Sequence, residues 1–154
     1  MSKKLDELIK DLSEPFPYDW RIQSRAGANK DKAVCTAFVD ARTVQDILDA
    51  KCAKHNATWD VDYKELAGVI FCGITISVAD TGGWESCTRW DAGNRLEENT
   101  GDRLYVQGGK SAASDAFKRA AVMFGLGRFL YNIAPMVLPC DQYNVLDSKG
   151  AKVY

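Results

Sequence analysis

The chain has 154 residues, 46% of them apolar and 27% charged, with a net charge of −1. That is one domain's worth of ordinary globular sequence, which excludes collagen, coiled coil and wholesale disorder. A net charge near zero also excludes a generic polycation, so any nucleic-acid binding needs a localised basic groove.

Residues 2–12 read as a short amphipathic helix, with Leu5, Leu8, Ile9 and Leu12 on one stripe and Pro15 and Pro17 beyond its end. Trp20 to Arg25 alternates apolar and polar as a strand does. Residues 26–31 form a turn, and Ala33 to Val39 is a second strand, giving a hairpin with a basic tip. Asp40 is a good N-cap for a helix over 41–54, with Val44, Ile47, Leu48 and Cys52 as its buried stripe. Thr58 to Leu66 is a strand. Residues 68–78 are the strongest strand, rich in β-branched residues and apolar on both faces, so it calls for cover by a helix and by a neighbouring copy. Asp80-Thr81-Gly82-Gly83 turns the chain, and Trp84 to Trp90 returns antiparallel. Residues 91–105 read as a polar loop, 107–124 as a helix stopped by Gly125-Leu126-Gly127, and 128–133 as a short apolar element. The order and the hairpins predict an α+β fold, an antiparallel sheet packed by helices. Residues 1–133 form its core with the N-terminal helix. Residues 134–154 are a tail with little pattern, extended or docked on a neighbouring protomer.

Several chemistries lack their residues. The five cysteines, Cys35, Cys52, Cys72, Cys87 and Cys140, are at least fifteen positions apart, so no CxxC pair exists; His55 is the only histidine. Metal ligation and a histidine-based nucleophilic centre both lack local partners, and buried free thiols are the simpler reading. Gly108-Gly109-Lys110-Ser111 mimics the end of a P-loop, but Leu104 stands where its first glycine belongs. No cofactor and no enzymatic activity are expected. Neither a membrane-spanning run nor a signal-type leader is found, which points to a cytoplasmic protein with no membrane partner.

Charge is unevenly placed. Residues 19–35 carry +2 and 101–131 carry +3, around an acidic middle of −5 over 36–100. Within the second basic segment, Ala113, Phe117, Ala120 and Phe124 lie on one helical stripe, suited to close packing on a sheet. Lys118 and Arg119 lie away from it, with Ser111, Ser114 and Asp115. A lysine point charge beside an arginine fork suits phosphate oxygens. A solvated face with an Asp115–Arg119 pair fits the pattern equally well.

The run Ser114-Asp115-Ala116-Phe117-Lys118-Arg119-Ala120-Ala121, then Phe124-Gly125 and Gly127-Arg128-Phe129-Leu130-Tyr131, resembles the signature of single-strand annealing proteins of the Rad-fifty-two type, including their short phage relatives. Ile22-Gln23-Ser24-Arg25 resembles the first hairpin of that family, and Phe38-Val39-Asp40-Ala41-Arg42 with Val44 its strand-to-helix junction. The likeness covers roughly residues 18–133. It implies a β-β-β-α annealing core whose protomers form a ring or open arc, with single-stranded DNA in an outer basic groove, and neither ATP nor metal. Carried over by position, Lys118 and Arg119 match the helical pair that holds the DNA backbone, and Arg25 the hairpin arginine. Phe38 falls near a family tyrosine and lacks its hydroxyl. Lys32, Lys110 and Arg128 are added on charge alone. The implied setting is recombination and repair in a bacterial or phage-infected cell, with a recombinase, exonuclease or single-strand-binding protein as further partner. Two alternatives stand beside it: an oligomeric interaction module with no nucleic-acid role, and a nucleotide-binding hydrolase.

Overall fold

The computed structural model describes residues 1–95 and 108–141, with side chains for 1–93 and 111–141. It divides into two units, Met1–Pro15 with Asp40–Arg128, and Phe16–Val39 with Phe129–Tyr154.

The first unit holds the larger core. Helix α1 (Lys3–Leu12) starts on Ser2, whose hydroxyl accepts from the Leu5 N–H, and buries Leu5, Leu8 and Leu12. Helix α2 (Ala41–Lys54) starts on Asp40, whose carboxylate accepts the Thr43 N–H at 2.7 Å; it buries Val44, Leu48 and Cys52. Strands β3 (Ala57–Leu66), β4 (Val69–Asp80) and β5 (Gly83–Arg95) form an antiparallel meander in that order. Helix α3 (Gly108–Met123) packs on it, with Phe117 against Trp59 at 5.9 Å between ring centroids. Gly125 and Gly127 follow with φ of 93° and 79°, a left-handed backbone that stops the helix at little steric cost.

The central strand is fully buried on one face and mixed on the other, where half-buried Val69 and Phe71 share the face with two polar residues, so the expectation of two apolar faces for residues 68–78 holds only in part. Cys72, Ile74, Ile76 and Val78 are buried under the helices. The alternate residues Thr75 and Ser77 face the other way and hydrogen-bond across to Thr88 and Ser86 at 2.7 and 2.6 Å. On that outer face Trp90 lies over Gly73, and the Lys64 ammonium sits 4.7 Å from its ring centre. The loop expected over 91–105 also changes: β5 runs on to Arg95, while 96–105 lie outside the described residues. Asp91-Ala92-Gly93 reads as a turn by composition, yet long pairing with β4 overrides it.

Helices α1 and α2 are tied by charge. The Asp11 carboxylate meets Lys51, Lys54 at 3.0 Å and His55 Nε2 at 2.9 Å. The hydrogen bond from Lys51 is the main cause that holds the Asp11 carboxyl well below its usual range. His55 thus joins two helices. Burial pushes the Cys52 and Cys72 thiols up to about 11, the behaviour of core residues and not of nucleophiles.

The second unit is a smaller antiparallel sheet. Strand β1 (Asp19–Ala26) pairs with β2 (Lys32–Phe38), which pairs on its other side with β6 (Met136–Pro139). The segment 136–139, read from sequence as part of an unpatterned tail, is therefore a strand of this chain's own sheet. Ala33, Cys35 and Cys140 form its buried centre, with Trp20, Ile22 and Leu138 around them. Arg128–Asn132 is a 3-10 turn, and Phe129 stacks edge-on against Phe16 at 5.0 Å.

Candidate nucleic-acid interface

Helix α3 is buried over half its circumference. Ala112, Ala116, Phe117, Ala120, Ala121 and Phe124 face the core, leaving an outer arc on which Ser111, Ser114 and Arg119 are exposed and Asp115 and Lys118 half-buried. Adjacent helical residues diverge by about 100°. Lys118 and Arg119 therefore point in different directions and do not stack on one line. Lys118 lies near enough to the start of α2 for its charge to act on Asp40. The Thr43 N–H holds the Asp40 carboxyl below its ordinary value, and the Lys118 charge adds to the same effect. Arg119 leans toward β5, where its Nε lies 3.7 Å from Asp91 Oδ2.

The close seating of α3 depends on Gly93. A Cβ built there would run into the Ala112 carbonyl oxygen and lie 3.0 Å from the Ala116 nitrogen. Hydrogen alone at that position lets the helix backbone approach the strand, which sets where Lys118 and Arg119 stand.

Two arginines close the C-terminal end of α3. Arg128 donates to the Val122 carbonyl at 2.7 Å and Arg89 to the Met123 carbonyl at 2.6 Å. Both satisfy end carbonyls and oppose the negative pole of the helix. Arg89 also lies over the Phe124 ring at 4.9 Å. Arg128, expected as a free basic contact, thus spends one arm of its guanidinium on the helix end while remaining exposed. Sequence reading missed Arg89 and Asp91. Their signal is the two-residue spacing that puts both on the helix side of β5.

The hairpin residues belong to the second unit. Arg25, on β1, is half-buried and donates to the Asp141 carbonyl at 2.5 Å, with Cys140 Sγ at 3.9 Å. Lys32 is exposed at the start of β2, and Phe38 is half-buried at its end. Lys110 lies in the first turn of α3, with its side chain outside the described part. Gly108 to Ser111 is helical throughout. Among the described residues no group of three or more His, Cys, Asp and Glu could hold a metal ion, and no helix is long and apolar enough to cross a membrane.

Residues 3–137 match the Rad52/22 family of double-strand break repair proteins. The chain belongs to that family. It is similar to the single-stranded DNA-binding protein DdrA of Deinococcus radiodurans, 35% identical over 133 residues, covering 84% of this chain and 57% of that protein. It is also similar to DdrA of Deinococcus deserti, 34% identical over 132 residues, covering 84% of this chain and 59% of the relative. The chain thus spans under three-fifths of the length of these curated relatives, at 57% and 59%. No solved structure matches.

Proposed function

We propose that this protein binds single-stranded DNA and anneals complementary strands in recombination and repair, without ATP and without a covalent step. One observation carries the reading: the outer arc of α3 presents half-buried Lys118 and exposed Arg119 beside Ser111 and Ser114, in a chain whose relatives bear single-stranded DNA-binding names. Phosphate contacts of this kind fix the path of a strand and read no sequence. Base edges then stay open to a complementary strand, and an ordered strand has already lost part of the entropy that duplex nucleation costs. Arg25 and Lys32 on the hairpin are assigned to the same DNA, with Lys110, Phe38 and Arg128 as secondary contacts.

A single protomer offers few phosphate contacts. Assembly of many protomers into a ring or arc multiplies them through effective concentration. This reconciles a net charge of −1 with DNA binding. The setting is the cytoplasm, with other recombination proteins as partners.

The second reading is an oligomeric interaction module with no nucleic-acid role. Its support is that Arg25, Arg119 and Arg128 already have partners within the chain. Titration of a fluorescent oligothymidine over a range of salt separates the two. DNA binding predicts a log–log slope of about −0.7 per phosphate neutralised, and loss of affinity in Lys118→Ala and Arg119→Ala on every sequence. No retention at low salt establishes the interaction module instead, whereas wild-type affinity in the double variant removes the α3 face from the DNA contact.

A further inference from the structure

We infer that Asp91 is a built-in competitor of phosphate for Arg119, which keeps the helix–DNA contact weak and exchangeable. This rests on the DNA-binding reading of α3 and deepens it. Asp91 is fixed in place: its Oδ1 accepts the Ala92 N–H at 2.7 Å. Its other oxygen, Oδ2, lies 3.7 Å from Arg119 Nε, and the two side chains are 29% and 49% exposed. The pair is therefore wet enough to open and close enough to matter. A phosphate that takes the guanidinium fork must share it with this carboxylate or push it aside.

The placement is specific. Asp91 and Arg89 share the helix-facing side of β5, so one strand supplies both an arginine that caps the end of α3 and an acid that engages its middle. The strand could have balanced Arg119 with a neutral acceptor. A full negative charge there lowers the net positive charge that a DNA strand meets. For a protein that must let go of each strand once a duplex forms, such a contact limits how tightly one protomer holds on. Exposed ion pairs of this kind are worth about 0.2–1 kcal/mol, which as an affinity change is about 1.4- to fivefold.

The test is Asp91→Asn, which keeps an oxygen for the Ala92 N–H and removes the charge. Oligothymidine binding is measured across salt for the wild type, Asp91→Asn, Arg119→Ala, the double variant and Asp62→Asn. Asp62 is exposed, and it pairs with Gly73 on the sheet face away from α3. Its substitution makes the same change in net charge without touching Arg119. Competition predicts that Asp91→Asn binds about 1.4- to fivefold tighter, with a salt slope steeper by up to about 0.7. Asp62→Asn should have a smaller effect. In the Arg119→Ala background Asp91→Asn should no longer tighten binding. Weaker or unchanged binding by Asp91→Asn overturns the inference. So does tightening that equals that of Asp62→Asn, or that persists without Arg119. Failure of the wild type itself to bind at low salt is a different result, and removes the DNA-binding reading instead.

Discussion

Gly93→Ala tests whether the seat of α3 on the sheet is as close as the structure shows. The added methyl meets backbone, not a flexible side-chain tip: the Ala112 carbonyl oxygen, then the Ala116 nitrogen at 3.0 Å and Cβ at 3.1 Å. Backbone of a packed helix cannot swing away, so α3 must shift as a body or β5 must bend. Overpacking of this sort costs about 1–3 kcal/mol. Alanine also loses less backbone freedom than glycine on folding, which returns roughly 0.5–1 kcal/mol. The net is a loss of about 0.5–2 kcal/mol, or a fall in Tm of roughly 2–6 °C for a chain of this size. The matched control is Gly82→Ala, where a Cβ meets nothing within 4 Å; it keeps the entropic gain without the clash and should melt about 1–4 °C above the wild type. Thermal unfolding followed by circular dichroism reads both. A Gly93→Ala protein that melts with or above Gly82→Ala refutes the close approach. It also refutes the placement of Lys118 and Arg119 that depends on it.

Other outcomes follow from single residues. Asp11→Asn should cost about 1–3 kcal/mol at neutral pH, because a carboxylate that accepts from Lys51, Lys54 and His55 is lost. The folded pKa of Asp11 lies below its unfolded value. Its contribution is therefore whole above about pH 4 and fades as the pH falls below that, so the gap in urea midpoint between wild type and variant should close in acid. Ala67 sits at φ 51° before Gly68 at φ 76° in the β3–β4 turn; Ala67→Asn should raise stability by up to about 1 kcal/mol, read as a higher Tm. Light scattering at micromolar concentration should show an assembly of many protomers, and a monomer would contradict the proposed ring or arc.

Much of the fold was legible because its signals are local. The α1 stripe, the Asp40 cap, the hairpin turns and the glycine stop after α3 each depend on residues within a few positions of one another. Two elements were not legible because distant pairing made them. Residues 91–95 are polar and glycine-containing, and become strand only by extending the β4–β5 ladder. Residues 136–139 carry no alternation of their own and become strand on the free edge of β2. The candidate site divides in the same way. Lys118, Arg119 and their serine neighbours follow from helical spacing, while the acid that faces Arg119 comes from β5, 28 positions earlier. Nor could a motif reveal that Arg128 and Arg89 cap one helix, since that depends on where the helix ends in space.

The most direct measurement follows energy transfer between two labelled complementary oligonucleotides, mixed with this protein in the presence of a chelator and no nucleotide. The driving force is duplex formation, and the protein acts by ordering the strands. Pairing should therefore run faster than the spontaneous rate, peak where the protein nearly covers the DNA, and decline when excess protein coats both strands separately. Loss of Lys118 and Arg119 together should remove the acceleration. Pairing no faster than the spontaneous rate at every ratio of protein to nucleotide would contradict the annealing function, even for a protein that binds single strands.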